Sequence, residues 1–162
     1  MSFPTFNFEN IRKEPIGTIY LVDDDADVRD SLRRLLETEG YRVEAYDSGE
    51  AFLAKYDPNA IAVLLLDQRM PGMPGTEVQD HLIARKASIP VVFLTGHGDV
   101  PMAVSALKKG AADFLQKPVE VKLLLPLISR LLSEAREQRV KNERQALNEA
   151  MLSKLTPREQ QV

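Results

Sequence analysis

Six apolar residues in a row, Ile61 to Leu66, stop on an aspartate, Asp67. A run this short, with no polar alternation, reads as a strand covered on both faces, and such strands occupy the centre of parallel sheets. Parallel neighbours need crossover connections, and the rest of the chain is built to supply them. Thr18–Val22, Tyr41–Tyr46, Pro90–Leu94 and Ala112–Gln116 read as four further strands. Between them apolar residues recur at helical spacing: Val28, Leu32, Leu35 and Leu36; a short stretch from Ser48 to Tyr56 closed by Asp57-Pro58; Val78, Leu82 and Ile83; then Val100, Ala103, Val104 and Leu107. Gly40 and Gly110 end two of these helices, since glycine tolerates the left-handed conformation just past a helix end. Lys108 and Lys109 suit the negative end of the fourth helix. A fifth helix is lined by Val121, Leu124, Leu125, Ile128, Leu131, Leu132 and Ala135, with Pro126 as a place for it to bend. Five strands alternating with five helices specify an α/β fold, a parallel sheet with right-handed crossovers.

Beyond Glu134 the composition changes. Ala135 to Asn148 is rich in Arg, Glu, Gln and Lys, and continues as helix with a sparse stripe of Val140, Leu147 and Met151. A solvated linker helix is the favoured reading. A short dimerising coiled coil is the other, and two or three apolar contacts fall short of the several heptads it needs. The opening sixteen residues read as a loosely ordered arm with no apolar core of a secretory signal. No stretch approaches the roughly 20 apolar residues of a membrane span, so a cytoplasmic location is expected. The chain has no cysteine, which removes disulfides and thiol chemistry, and only two histidines, His81 and His97, too few for a histidine-rich metal site. A net charge of −3 argues against nucleic-acid binding by these 162 residues, because such domains carry a basic face.

The chemistry sits at strand ends, where ligands bind in open parallel sheets. Strand one runs into Asp23-Asp24-Asp25, strand three into Asp67, strand four into Thr95 and strand five into Lys117. Several carboxylates, a hydroxyl and an ammonium therefore meet at one sheet edge. Carboxylates this close must hold a cation or shift their pKa values. An oxygen-rich site with open positions suits Mg²⁺ completed by water and phosphate oxygens. Asp67 is then placed as a nucleophile toward phosphorus, with Lys117 offsetting charge and Thr95 donating a hydrogen bond. Each piece has a plainer reading. Asp25 or Asp27 is readable as a helix cap, Lys117-Pro118 as a turn, and Thr95-Gly96-His97-Gly98 as a flexible loop. The order of the pieces, one per strand end, is what no single structural demand explains. His97 falls near the site rim, with a role in phosphoryl stability set against a plain surface role. His81 reads as a helix-surface residue.

Four segments carry a resemblance to a known family: Val22-Asp23-Asp24-Asp25, Leu66-Asp67-Gln68-Arg69-Met70-Pro71, Thr95-Gly96-His97-Gly98-Asp99-Val100 and Phe114-Leu115-Gln116-Lys117-Pro118. From about Gly17 to Glu134 the chain resembles the receiver domains of two-component response regulators. The resemblance implies a flavodoxin-like (CheY-like) fold with strand order 2-1-3-4-5 and helices on both faces. It assigns Asp23 and Asp24 to a Mg²⁺ pocket shared with Asp67 and the backbone carbonyl of Arg69. It makes Asp67 the phosphoacceptor, Thr95 the switch hydroxyl, Lys117 the phosphate-contacting cation and Phe114 the switch aromatic, a position where many members carry Tyr. It implies a cis Lys117–Pro118 bond, a sensor histidine kinase as phosphodonor, self-catalysed dephosphorylation, and a homodimer formed on phosphorylation through the fourth helix and fifth strand.

The Thr-Gly-His-Gly-Asp-Val run is similar to the FixJ-like branch, whose output is a LuxR-type helix-turn-helix. Leu155-Thr156-Pro157-Arg158-Glu159 resembles the opening of that output domain. The expected organisation is therefore an arm (1–16), a receiver (17–134), a helical linker (135–152) and the start of an output domain (153–162), with DNA binding only through the missing remainder. Val91 to Lys122 further resembles regulators of tetrathionate respiration. Three rivals are weighed against this. A stand-alone receiver adaptor does not account for the output-domain opening. An aspartate-nucleophile phosphohydrolase wants a second Asp two positions after the nucleophile, where this chain has Arg69. An FMN-binding flavodoxin wants phosphate-cradling loops after strand one, where three aspartates would repel phosphate.

Overall fold

The computed structural model describes residues 16–96 and 98–159, the last five of these by backbone alone. Strands and helices alternate: β1 (Thr18–Val22), α1 (Ala26–Thr38), β2 (Arg42–Tyr46), α2 (Gly49–Lys55), β3 (Ala62–Asp67), α3 (Gly75–Ala84), β4 (Val91–Thr95), α4 (Val100–Lys108), β5 (Asp113–Gln116) and α5 (Val121–Glu159). The strands form one parallel sheet in the order β2-β1-β3-β4-β5. The expected fold is the observed one, with strand bounds shifted by a residue or so; β3 takes in Asp67 itself.

Period-two alternation along the strands divides the core between the two faces of the sheet. Ile19, Leu21, Val63, Leu65, Val92 and Leu94 pack against α1 and α5. Tyr20, Val22, Leu64, Leu66 and Phe93 pack on the other face with Phe52 of α2, Val78 and Leu82 of α3 and Ala106 of α4. Every residue of β3 is buried. That explains the uninterrupted apolar run, and makes a charged residue at its end conspicuous.

Local signals end the elements where expected. Asp25 is the N-cap of α1, its carboxylate accepting from the amides of Asp27 and Val28. Gly40 (φ +95°) and Gly110 (φ +108°) turn the chain out of α1 and α4. Ser48 caps α2 through a bond from the Ala51 amide.

α5 runs 39 residues, without interruption at Pro126. Proline has no N–H to give the carbonyl one turn back, and both Pro126 and Lys122 are solvent-exposed, so water can serve that acceptor. Leu124, Leu127, Ile128, Leu131 and Leu132 are buried against the sheet. Past Glu134 no described side chain of the helix is buried, and Val140, Leu147, Met151 and Leu152 are exposed. The helix continues across the expected linker boundary at 152. Most of the expected arm, the last three residues and His97 lie outside the described residues. No helix among the described residues is long and apolar enough to cross a membrane.

Candidate functional site

Register brings the ends of β1, β3, β4 and β5 to one edge of the sheet: Val22 lies beside Leu66, Asp67 beside Leu94, and Thr95 beside Gln116. The next residues, Asp23 and Lys117, lie with Asp67 at that edge. Asp23 is completely buried. Its Oδ1 accepts the Asp25 amide at 2.9 Å, its Oδ2 accepts Lys117 Nζ at 2.7 Å, and its carbonyl accepts Arg29 at 2.7 Å. Lys117 Nζ also lies 3.4 Å from Asp67 Oδ1. The Lys117 amide donates to the Thr95 carbonyl at 2.7 Å, tying the ends of β4 and β5 together. The Lys117–Pro118 bond is cis.

Asp67 is held where charge is unwelcome. Burial pushes its carboxyl pKa up from 3.8 to about 6, and the Asp23 charge pushes the same way; Lys117 and the Arg69 backbone N–H oppose them. For Lys117, burial works against its charge, but the hydrogen bond and attraction of Asp23, with Asp67 behind it, outweigh burial and leave the ammonium pKa raised.

Asp24 is exposed, yet carboxylate oxygens of Asp23, Asp24 and Asp67 all lie within 4.8 Å of one another. Opposite ligands of an octahedral Mg²⁺ stand about 4.2 Å apart, a separation of the same order. The donor chemistry agrees: three hard oxygens, one side open to solvent. Asp25, by contrast, is committed to capping α1.

Thr95 is fully buried, and its hydroxyl makes one long bond, 3.4 Å, to the Leu115 carbonyl of β5. Phe114 is half-buried against the core of the α2–α4 face, paired in register with Phe93. On α4, Val100 and Val104 are exposed, whereas Met102 packs partly into the core. The dimer face expected from the sequence comprises Val100, Met102, Lys109 and Gln116, and the partial burial of Met102 makes it a lesser part of that face. Lys109 reaches Asp80 at 3.3 Å. His81 is exposed on α3, as expected.

The loop after Asp67 is fixed by close approach. A Cβ on Gly75 would lie 2.5 Å from the Asp67 carbonyl oxygen and 3.0 Å from the Phe93 ring. Gln68 Oε1 accepts the Thr76 amide at 2.8 Å, supplying the bond that Pro74 at the N-cap of α3 cannot. Gly75→Ala is therefore expected to destabilise the fold by about 1–3 kcal/mol through overpacking and to displace the Asp67 backbone. Urea unfolding checks the first effect, and backbone amide shifts at Asp67 and Gln68 the second.

Two features escaped the sequence. Arg69 forms a two-pronged ion pair with Asp99, at 2.9 to 3.1 Å. Asp99 precedes an apolar helical stretch and so looks like an ordinary cap. Buried Gln79 of α3 donates to the Ala106 carbonyl of α4 at 3.0 Å; nothing in its local pattern marks it. A cleft of about 560 Å³ lies at the other end of the sheet, between α5 and the chain around Asn59 and Ser88. It holds none of the strand-end carboxylates.

Residues 19–129 match the family model for the response regulator receiver domain. The chain is 42% identical over 147 residues to the transcriptional regulatory protein FixJ of Bradyrhizobium diazoefficiens, covering 90% of this chain and 71% of that one. It is 44% identical over 149 residues to the tetrathionate response regulatory protein TtrR of Salmonella typhimurium, covering 91% and 69%. Identities this similar point to a shared branch and do not select one inducing signal. Among solved structures it is similar to the response regulator StyR (TM-score 0.83, 46% identity, 89% of this chain and 73% of that one). It is also similar to full-length FixJ from B. japonicum (TM-score 0.69, 39% identity, 85% and 67%).

Proposed function

Because this chain belongs to the response regulator receiver domain family, we propose that it is a phosphorylation switch whose Asp67 accepts a phosphoryl group from a sensor histidine kinase. The observation that carries the reading is Lys117 set between Asp23 and Asp67, at 2.7 and 3.4 Å, beside a three-carboxylate cluster. In the transfer an Asp67 oxygen bonds to phosphorus, the P–N bond to the kinase histidine breaks, and the departing imidazole takes a proton from solvent. Asp23, Asp24, Asp67 and the Arg69 carbonyl would hold Mg²⁺, which when bound supplies positive charge against the phosphoryl oxygens. Lys117 contributes the second cation, and Thr95 turns from Leu115 to donate its hydroxyl. The same groups serve self-catalysed hydrolysis. The product is a signal, and the chain acts as a switch in the cytoplasm.

The test is intact-mass analysis after incubation with a small acyl phosphate and Mg²⁺. The wild type should gain one phosphoryl group and Asp67→Asn none. An Asp67→Asn protein carrying the same adduct would end the assignment.

Output follows from the domain reading: receiver (17–134), helical linker (135–152) and the opening of a LuxR-type helix-turn-helix (153–162), with transcriptional control exerted through the DNA-binding domain. The chain spans about two thirds of the length of the curated relatives it matches. As Thr95 leaves β5, the Phe114 ring rotates inward. The face formed by Val100, Val104, Lys109 and Gln116 then pairs with its copy across a two-fold axis. Sedimentation should show a phosphorylation-dependent dimer that Phe114→Ala impairs. A mass unchanged by phosphorylation removes this step from the model, and an unimpaired Phe114→Ala dimer removes Phe114 from it.

A further inference from the structure

Asp99 stands at the N-cap position of α4, yet its carboxylate makes no bond to the helix it precedes. It turns instead to Arg69. The guanidinium donates from Nε to Oδ1 (3.1 Å) and Oδ2 (3.0 Å), and from a terminal nitrogen to Oδ1 (2.9 Å). Asp99 is buried, at 8% exposure, while the Arg69 side chain is 72% exposed and has room to swing. The pair joins the loop after Asp67 to the loop after Thr95. Arg69 is also two residues from Asp67, and it feels both carboxylates: Asp99 foremost, then Asp67, favour its charged form.

Each partner has an alternative. Guanidinium pairs with phosphate oxygens as readily as with a carboxylate, through the same planar fork. A phosphoryl group brings a charge of about −1.5 to −2, more than the single charge of Asp99. Aspartate is in turn among the strongest helix caps. Pro101, at the second position of α4, has no N–H, which leaves the Met102 amide as the donor an Asp99 cap would use.

We propose that phosphorylation exchanges these partners: Arg69 moves from Asp99 to the phosphoryl oxygens on Asp67, and the freed Asp99 caps α4 through the Met102 amide. Arg69 thereby becomes a phosphoryl-positioning residue, and the start of α4 is reset by the same event. The inference rests on the phosphoacceptor reading of Asp67.

The experiment measures amide hydrogen exchange at Met102 and the Arg69 Nε–H resonance in the full chain, with and without excess acyl phosphate and Mg²⁺. Intact mass is taken on the same samples. On phosphorylation of the wild type, Met102 protection should rise about fivefold, the equivalent of a typical cap, and the Arg69 resonance should move. Asp99→Asn keeps the capping group but loses the charge pair, so it should show the raised protection without phosphodonor. Asp99→Ala should show it in neither state. An adduct on the wild type with Met102 and Arg69 unchanged would overturn the exchange while leaving the phosphoacceptor reading intact. So would an Asp99→Asn protein that behaves like Asp99→Ala. Absence of any adduct on the wild type would overturn that reading, and this inference with it.

Discussion

Asp67→Asn should make the metal-free protein more stable at neutral pH, by up to about 3 kcal/mol. The carboxyl is nearly buried, faces Asp23, and has its pKa raised from 3.8 to about 6. In the unfolded chain it ionises at its ordinary value. Above about pH 6 both states carry the charge, and the folded state bears the full penalty of holding it. Below 3.8 both are protonated and the penalty is gone. Between those values the folded state binds a proton that the unfolded state has released, so this group's contribution to stability falls as pH rises. Asparagine keeps the shape and can still accept the Arg69 N–H, but carries no charge to penalise. Lys117 retains its 2.7 Å bond to Asp23. Urea unfolding of both proteins should therefore show a large gap at about pH 7 that closes toward pH 4. Mg²⁺ at neutral pH should narrow it by stabilising the wild type alone. A gap independent of pH, or an asparagine variant less stable than the wild type at neutral pH, would contradict this. Against a usual total of about 5–15 kcal/mol, the effect means that the acceptor site is held at the expense of the fold.

The residues whose roles follow from their own neighbours were legible in the sequence. The buried run of β3 shows in its lack of alternation, Gly40 and Gly110 in their places at helix ends, and Asp25, with Asp27, as one of two candidate caps before α1. The gathering of Asp23, Asp67, Thr95 and Lys117 at one edge was legible for a topological reason: in a parallel α/β sheet the carboxyl ends of the strands share an edge, so residues from 23 to 117 can be placed together before any contact is known. Pairings between loops were not legible. Asp99 satisfies the local rule for a cap, and only the folded chain brings Arg69, thirty positions earlier, close enough to take its carboxylate instead. The need for glycine at position 75 was not legible either, because nothing local reveals that the Asp67 carbonyl leaves no room for a side chain there. Met102 was placed on the outward face with Val100, and helical spacing alone does not set how far such a residue turns into the core. The assignment of 153–162 to an output domain rests on a short motif, and the backbone of α5 passes through its first residues without a break.

Lys117→Ala should slow phosphoryl incorporation from a small acyl phosphate by about 10²–10³, the usual effect of deleting one charge-stabilising donor from such a site. Two separable causes contribute. The first acts before the donor arrives. Lys117 is the cation opposing burial and Asp23 at Asp67, so its loss raises the Asp67 pKa further and leaves more of the carboxyl protonated at neutral pH. A protonated carboxyl is a poor nucleophile. The second acts during transfer, when charge on the phosphoryl oxygens loses the ammonium that now sits 3.4 Å from Asp67 Oδ1. Raising the pH restores the carboxylate and not the missing cation. The variant's rate should therefore climb between about pH 6 and 8, where the wild-type rate is flatter, and should plateau well below the wild type. Lys117→Arg tests the geometry: charge is retained, so the pH dependence should return toward that of the wild type, while the bulkier planar head keeps the plateau low. Rates that match the wild type across this range would show that Lys117 is only a structural tie between β5 and Asp23. A variant that recovers fully at high pH would show that its whole effect is exerted on the Asp67 proton.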